Sequence, residues 1–142
     1  MKSEARATPL LTIQLVAAVV LFTAMLTWPG PWNAERWIGI CMAAPAAILV
    51  LTARYQLGRS FSISPQAREL VTHGLYRKIR NPIYVFSGVM ILGFLLVLQI
   101  PQAFLILLIL IPMQVIRARR ESKVLEAKFG DQYRQYKRST WF

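Results

Sequence analysis

The residue types able to do chemistry fall in two short stretches. The first is His73-Gly74-Leu75-Tyr76-Arg77-Lys78-Ile79-Arg80-Asn81-Pro82-Ile83-Tyr84, and the second is Arg117-Ala118-Arg119-Arg120-Glu121. Together they offer an imidazole, two phenols, an amide, several guanidinium groups and one carboxylate. Such a set can hold an anionic or zwitterionic small molecule by hydrogen bonds and charge. It does not resemble a nucleophile-and-base arrangement, since the chain has one His and one Cys and lacks a Walker loop, a dinucleotide glycine fingerprint and a paired-carboxylate cleft. Metal ligands are too few for a metal centre. The chemistry left open is one in which binding and positioning do most of the work.

Those stretches border long apolar runs. The 142 residues are 56% hydrophobic with a mean hydropathy of +0.44, and the apolar residues are contiguous rather than alternating, as in a chain whose solvent is lipid. The pattern predicts a single all-α integral membrane domain over residues 1–142. Four transmembrane helices are expected at about 10–27, 37–55, 83–98 and 103–116, with a cytoplasmic basic loop at 56–82 and an amphipathic C-terminal helical tail at 117–142. Trp28, Trp32 and Trp37 bracket a Pro-Gly-Pro turn at the outer interface. Pro45 is expected to kink the second span, and Gln99-Ile100-Pro101-Gln102 to make the last two spans antiparallel neighbours. Val124, Leu125 and Phe129 form an apolar stripe in the tail, which Gly130 stops.

Charge gives the orientation. Residues 54–81 carry 6 cations against 1 acid and residues 117–142 carry 8 against 3, whereas the Gln99–Gln102 turn carries none. The positive-inside rule then predicts a multi-pass protein with both termini and the basic loop in the cytoplasm. Lys2 and Arg6 precede the first apolar run, but no small-residue cleavage site follows it, so this span is expected to stay attached. The net charge of +11 is read as attraction to anionic lipid head groups, with Arg77, Lys78, Arg119 and Arg120 as snorkelling anchors, and not as a nucleic-acid surface. The spans are nearly free of ionisable groups, which argues against a proton relay or ion pathway. Small residues in the helices leave room for an oligomer.

Several ordered motifs carry a resemblance. Leu57-Gly58-Arg59-Ser60-Phe61-Ser62, His73-Gly74-Leu75-Tyr76, Arg80-Asn81-Pro82-Ile83-Tyr84, Arg117 four residues before Glu121, and Phe129-Gly130-Asp131-Gln132-Tyr133 are similar to the isoprenylcysteine carboxyl methyltransferase family and the related membrane phospholipid methyltransferases. The likeness covers roughly residues 55–142, the first two spans matching only in hydrophobicity. It implies an S-adenosylmethionine-dependent methyltransferase acting on a membrane-embedded lipid-like or isoprenoid-like acceptor at the cytoplasmic face. His73, Gly74, Tyr76, Asn81, Pro82, Tyr84 and Glu121 would contact the donor, and Arg80 and Arg117 would act with Glu121 in catalysis by orienting an anionic acceptor or Glu121 itself.

Three positions depart from the family pattern. Asn81 stands where His is more frequent, Phe86 where a small Gly is frequent, and Ser122 in place of the second acid of a Glu-Glu pair. Donor binding remains compatible with these changes, while the isoprenylcysteine acceptor is disfavoured. On residue types alone, His73 can equally be a solvent-exposed loop residue, and Glu121 can be an ion-pair partner of Arg117. Two further readings stay open: an NADPH-dependent membrane reductase resembling sterol reductases, and a non-enzymatic membrane protein whose basic edge binds lipid or a partner.

Overall fold

A computed structural model describes the backbone of residues 4–58 and 70–141 and the side chains of residues 12–58 and 70–141. All its regular elements are helical: α1 (Glu4–Thr27), α2 (Ala34–Leu57), α3 (Pro82–Leu98) and α4 (Leu107–Ser139), with 3-10 turns at Gly74–Arg77 and Pro101–Ile106. The motif residues Arg59 to Ser62, together with Arg68 and Glu69, lie outside the described residues.

Two helical stretches are long and apolar enough to cross a bilayer, α2 and the continuous run from Pro101 into α4. Residues 12–27 of α1 and all of α3 are apolar but shorter. Each helix extends beyond its expected span. Asn33 caps α2 by accepting the Arg36 backbone N–H at 3.0 Å, which sets the start three residues early. No break occurs at Arg117, because Arg, Glu, Lys and Ala are good helix formers and nothing in residues 117–129 stops the helix. The chain breaks instead at Gly130, whose φ of 50° and ψ of −121° only glycine adopts readily. Both the expected stop and its position are therefore present, although α4 enters it as one rod.

The expectation that α3 and α4 are antiparallel neighbours holds where Tyr84 meets Glu121 and Ser87 meets Gln114, but the more extensive pairing lies elsewhere. The main partner of α3 is α2, not α4. The reason is steric: a Cβ on Gly39 would lie 2.6 Å from the Gly93 carbonyl oxygen, and one on Gly93 would lie 2.6 Å from that of Gly39 and 2.7 Å from the Ala43 nitrogen. Only glycines and alanines let two backbones come so close, and in lipid such contact replaces the hydrophobic drive that holds soluble helices together. The tight turn after Leu98 does return the chain, but the 3-10 segment Pro101–Ile106 leads α4 away. It meets α3 through side chains such as Gln114, which donates to the Ser87 hydroxyl at 3.4 Å.

At the end formed by the α1–α2 loop and the α3–α4 turn, the polar groups close on backbone. Arg36 is 1% exposed. Its guanidinium donates to the carbonyls of Met25 (2.9 Å), Leu26 (3.2 Å) and Gly30 (3.1 Å) and lies 4.2 Å from the Trp32 ring centroid. A cation thus caps the negative end of α1. Gln99, in the left-handed region at φ 54°, donates from Nε2 to the Pro31 carbonyl at 3.1 Å and to Asn33 Oδ1 at 2.9 Å, tying the two turns together.

Candidate functional site

The opposite end gathers the residues of interest. Pro82 occupies the first turn of α3, where its missing N–H costs nothing, and is fully buried. Two residues further, Tyr84 donates its phenol proton to Glu121 Oε2 of α4 at 2.9 Å, and the Arg117 guanidinium stands 5.9 Å from the Tyr84 ring centroid. Tyr76, in the 3-10 turn before α3, is buried. Burial holds its phenol well above the ordinary value for tyrosine, the Glu121 carboxylate adds to this, and Tyr136 and Tyr84 push the same way against an opposing Arg54. Tyr76, Tyr84, Arg117 and Glu121, expected from sequence, are therefore one cluster at the junction of α3, α4 and the turn.

The other expected residues are arranged differently. Arg80 lies within electrostatic reach of Tyr136. It is half-buried, and its Nε has no hydrogen-bond partner among the described residues. His73 is exposed at the start of the 3-10 turn, where its carbonyl accepts the Tyr76 N–H at 3.2 Å. Gly74, at φ 60°, is pressed against α2, since a Cβ there would run into the Gln56 side chain. Its lack of a side chain lets the turn pack beside Gln56. Asn81 occupies the cap position of α3 without a side-chain capping bond.

Five contributions were not foreseen. Gln56 Oε1 accepts the Leu75 N–H at 2.8 Å and fixes the turn to α2. Arg54, counted from sequence only as a loop cation, is 5% exposed on the last turn of α2, beside the Tyr76 phenol. Beyond Gly130 the chain folds back. Tyr133, fully buried, donates to Ser122 Oγ at 2.8 Å, so the position that departs from a Glu-Glu pair is used as a packing acceptor. Tyr136 donates to the Tyr76 carbonyl at 2.7 Å, and the Trp141 N–H bonds the Lys78 carbonyl at 2.9 Å. Burial, reinforced by Tyr133 and opposed by Arg80, pushes the Tyr136 phenol up to about 12. The i, i+3 pair of tyrosines after a glycine was the available signal; its partner was not, because it lies 60 residues away.

These features define a helical membrane protein with a polar, aromatic-lined cluster where apolar helices end. The phospholipid methyltransferase family model matches residues 34–132, and the chain belongs to that family. It is thus a methyltransferase of membrane lipid-like substrates, and the reductase reading is not favoured. The match contains all the expected site residues and also α2, which the sequence resemblance had left out; Tyr133, Tyr136 and Trp141 fall beyond it. No curated protein matches the chain significantly.

Proposed function

We propose that the protein binds S-adenosylmethionine at the Tyr76–Tyr84–Glu121 cluster and methylates a lipid acceptor that reaches the cluster from the bilayer. The observation that carries this reading is the Tyr84–Glu121 hydrogen bond beside buried Tyr76. It puts a lone carboxylate and two aromatic rings at the end of apolar helices inside the family-matched region.

The donor is a zwitterion with a cationic sulfur, and the residues present suit each part of it. Tyrosine rings favour a neighbouring cation, Glu121 can accept from an ammonium or ribose hydroxyl, and the unbonded buried Nε of Arg80 suits a carboxylate. When bound, S-adenosylmethionine supplies a methyl group on sulfur, which departs with its bonding electron pair as a thioether while an acceptor lone pair forms the new bond and the acceptor loses a proton. Arg117 orients Glu121 and an anionic head group, and the buried phenols of Tyr76 and Tyr136 stay neutral at physiological pH, so they donate hydrogen bonds without adding charge.

The same reading has four spans, with the cluster, the basic loop and both termini facing the cytoplasm. The exposed Arg77, Lys78, Arg119 and Arg120 would then rest on anionic head groups. Calorimetry on purified protein tests the donor: S-adenosylmethionine and its demethylated product should bind, and a response to NADPH with none to either sulfur ligand would overturn the proposal. Labelling of a single cysteine at position 68 by an impermeant reagent from outside intact cells would overturn the orientation.

A further inference from the structure

Away from the polar cluster, α1 crosses the α2–α3 pair with little contact and leaves a partly open cavity of about 140 Å³. Phe22 and Met25 of α1, Ala44 and Ala47 of α2, and Ile91 and Phe94 of α3 line it, with no charged residue among its walls. The alanines create the space: α2 presents methyl groups where larger side chains would have filled the gap between three helices. Close packing is the rule in protein interiors, and an apolar void forfeits contacts on all its walls. In a bilayer such a slot has one available filler, hydrocarbon.

Its position relative to the candidate site selects which hydrocarbon. Tyr84, Ser87, Ile91 and Phe94 follow one another at helical spacing and share one face of α3. Tyr84 belongs to the polar cluster, whereas Ile91 and Phe94 belong to the cavity, about 10 and about 15 Å further along the helix. A molecule with its head group at Tyr84 and Glu121 would have its tail directed along this stripe into the cavity.

Resting on the proposed methyl transfer, we infer that this cavity seats one hydrocarbon chain of the lipid acceptor, and that Ala44 and Ala47 set the width it accepts. The exposed apolar residues that run from Leu105 in the 3-10 segment to Ile116 of α4 line no part of this cavity. The chain seat gives the enzyme a means of holding its acceptor other than through the head group, and ties acceptor affinity to tail shape.

The test uses the full chain in lipid nanodiscs with a diacyl phospholipid that bears an amine head group and a mid-chain diazirine. Irradiation should label the segments 18–25 and 90–94, and the Ala44→Leu/Ala47→Leu double variant should lose at least fivefold of that label. The same variant should lose about tenfold in kcat/KM toward the long-chain acceptor, yet keep wild-type affinity for S-adenosylmethionine and wild-type turnover of a dihexanoyl acceptor. Phe94→Ala, which enlarges the space, should shift preference toward branched chains. Labelling confined to α4, labelling unchanged by the double variant, or equal labelling by a lipid with a phosphoglycerol head group would overturn the chain seat. If wild-type protein binds no S-adenosylmethionine but labels as expected, the methyl-transfer reading fails while the seat stands.

Discussion

Each end of the helix bundle sets an arginine against an aromatic ring, with opposite results. At the α1–α2 loop, Arg36 lies 4.2 Å from the Trp32 centroid, is 1% exposed, and donates from its two terminal nitrogens to three backbone carbonyls. At the other end, Arg117 lies 5.9 Å from the Tyr84 centroid and is exposed, and the ring it accompanies bonds a carboxylate. An arginine consumed by carbonyls is part of the scaffold, because moving it would orphan buried acceptors. One that stands with an acid and phenols at an open edge can exchange partners when a ligand arrives. Side-chain type does not separate the two ends; the identity of the hydrogen-bond acceptors does.

The sharpest way to break this comparison is Glu121→Gln. If the open end is the catalytic one, turnover should fall by about 1000-fold, equivalent to about 4 kcal/mol, with the melting temperature unchanged. Glu126→Gln, whose carboxylate only meets Arg134 at 3.0 Å on the surface, should leave both unaltered. Equal turnover in wild type and Glu121→Gln would remove the assigned role.

Arg36→Ala tests the closed end. It strips three carbonyls of a charged donor and should cost about 3 kcal/mol of stability, measured by denaturant unfolding in detergent. Donor affinity in the folded protein should not change. A loss of donor affinity without a loss of stability would mean that the two ends had been assigned the wrong way round.

Smaller changes sharpen the picture within the open end. Tyr84→Phe removes one hydrogen bond to a carboxylate and should weaken donor binding by about 1 kcal/mol, or about fivefold. Tyr76→Phe should have an effect of similar size, while His73→Ala, at an exposed ring, separates a ligand contact from a bystander by calorimetry alone. The smallest effect is alkaline. The Tyr136 phenol is raised by burial from 10.0 to about 12, so below pH 10 folded and unfolded chains both keep the proton and its contribution is intact. Between pH 10 and about 12 the unfolded chain loses a proton that the folded chain retains, and stability falls as pH rises. Tyr136→Phe should flatten that decline in a melting-temperature series, and an unchanged slope would show that the phenol is not buried in solution.

Much of the helical arrangement was legible in the sequence because hydropathy and charge are local properties. The apolar runs gave the four helices to within a few residues at most ends, and Gly130 was readable as a break since few other residues adopt its backbone angles. The ordered motifs gave Tyr76, Tyr84, Arg117 and Glu121 as one group. What local pattern could not supply was partnership. Gly39 and Gly93 make α2 the closer companion of α3, which the short α3–α4 turn could not reveal, because backbone approach depends on which small residues face each other across 54 positions of chain. The Arg80 charge acts on Tyr136, and Ser122 serves Tyr133, because a reversal at Gly130 folds the last helical segment back on the bundle. By itself the sequence determined where lipid ends and charge begins, through the transfer energy of each side chain. Only the tertiary structure decided which guanidinium is set against backbone carbonyls and which stands beside a phenol and a carboxylate, since that depends on groups brought together from distant parts of the chain.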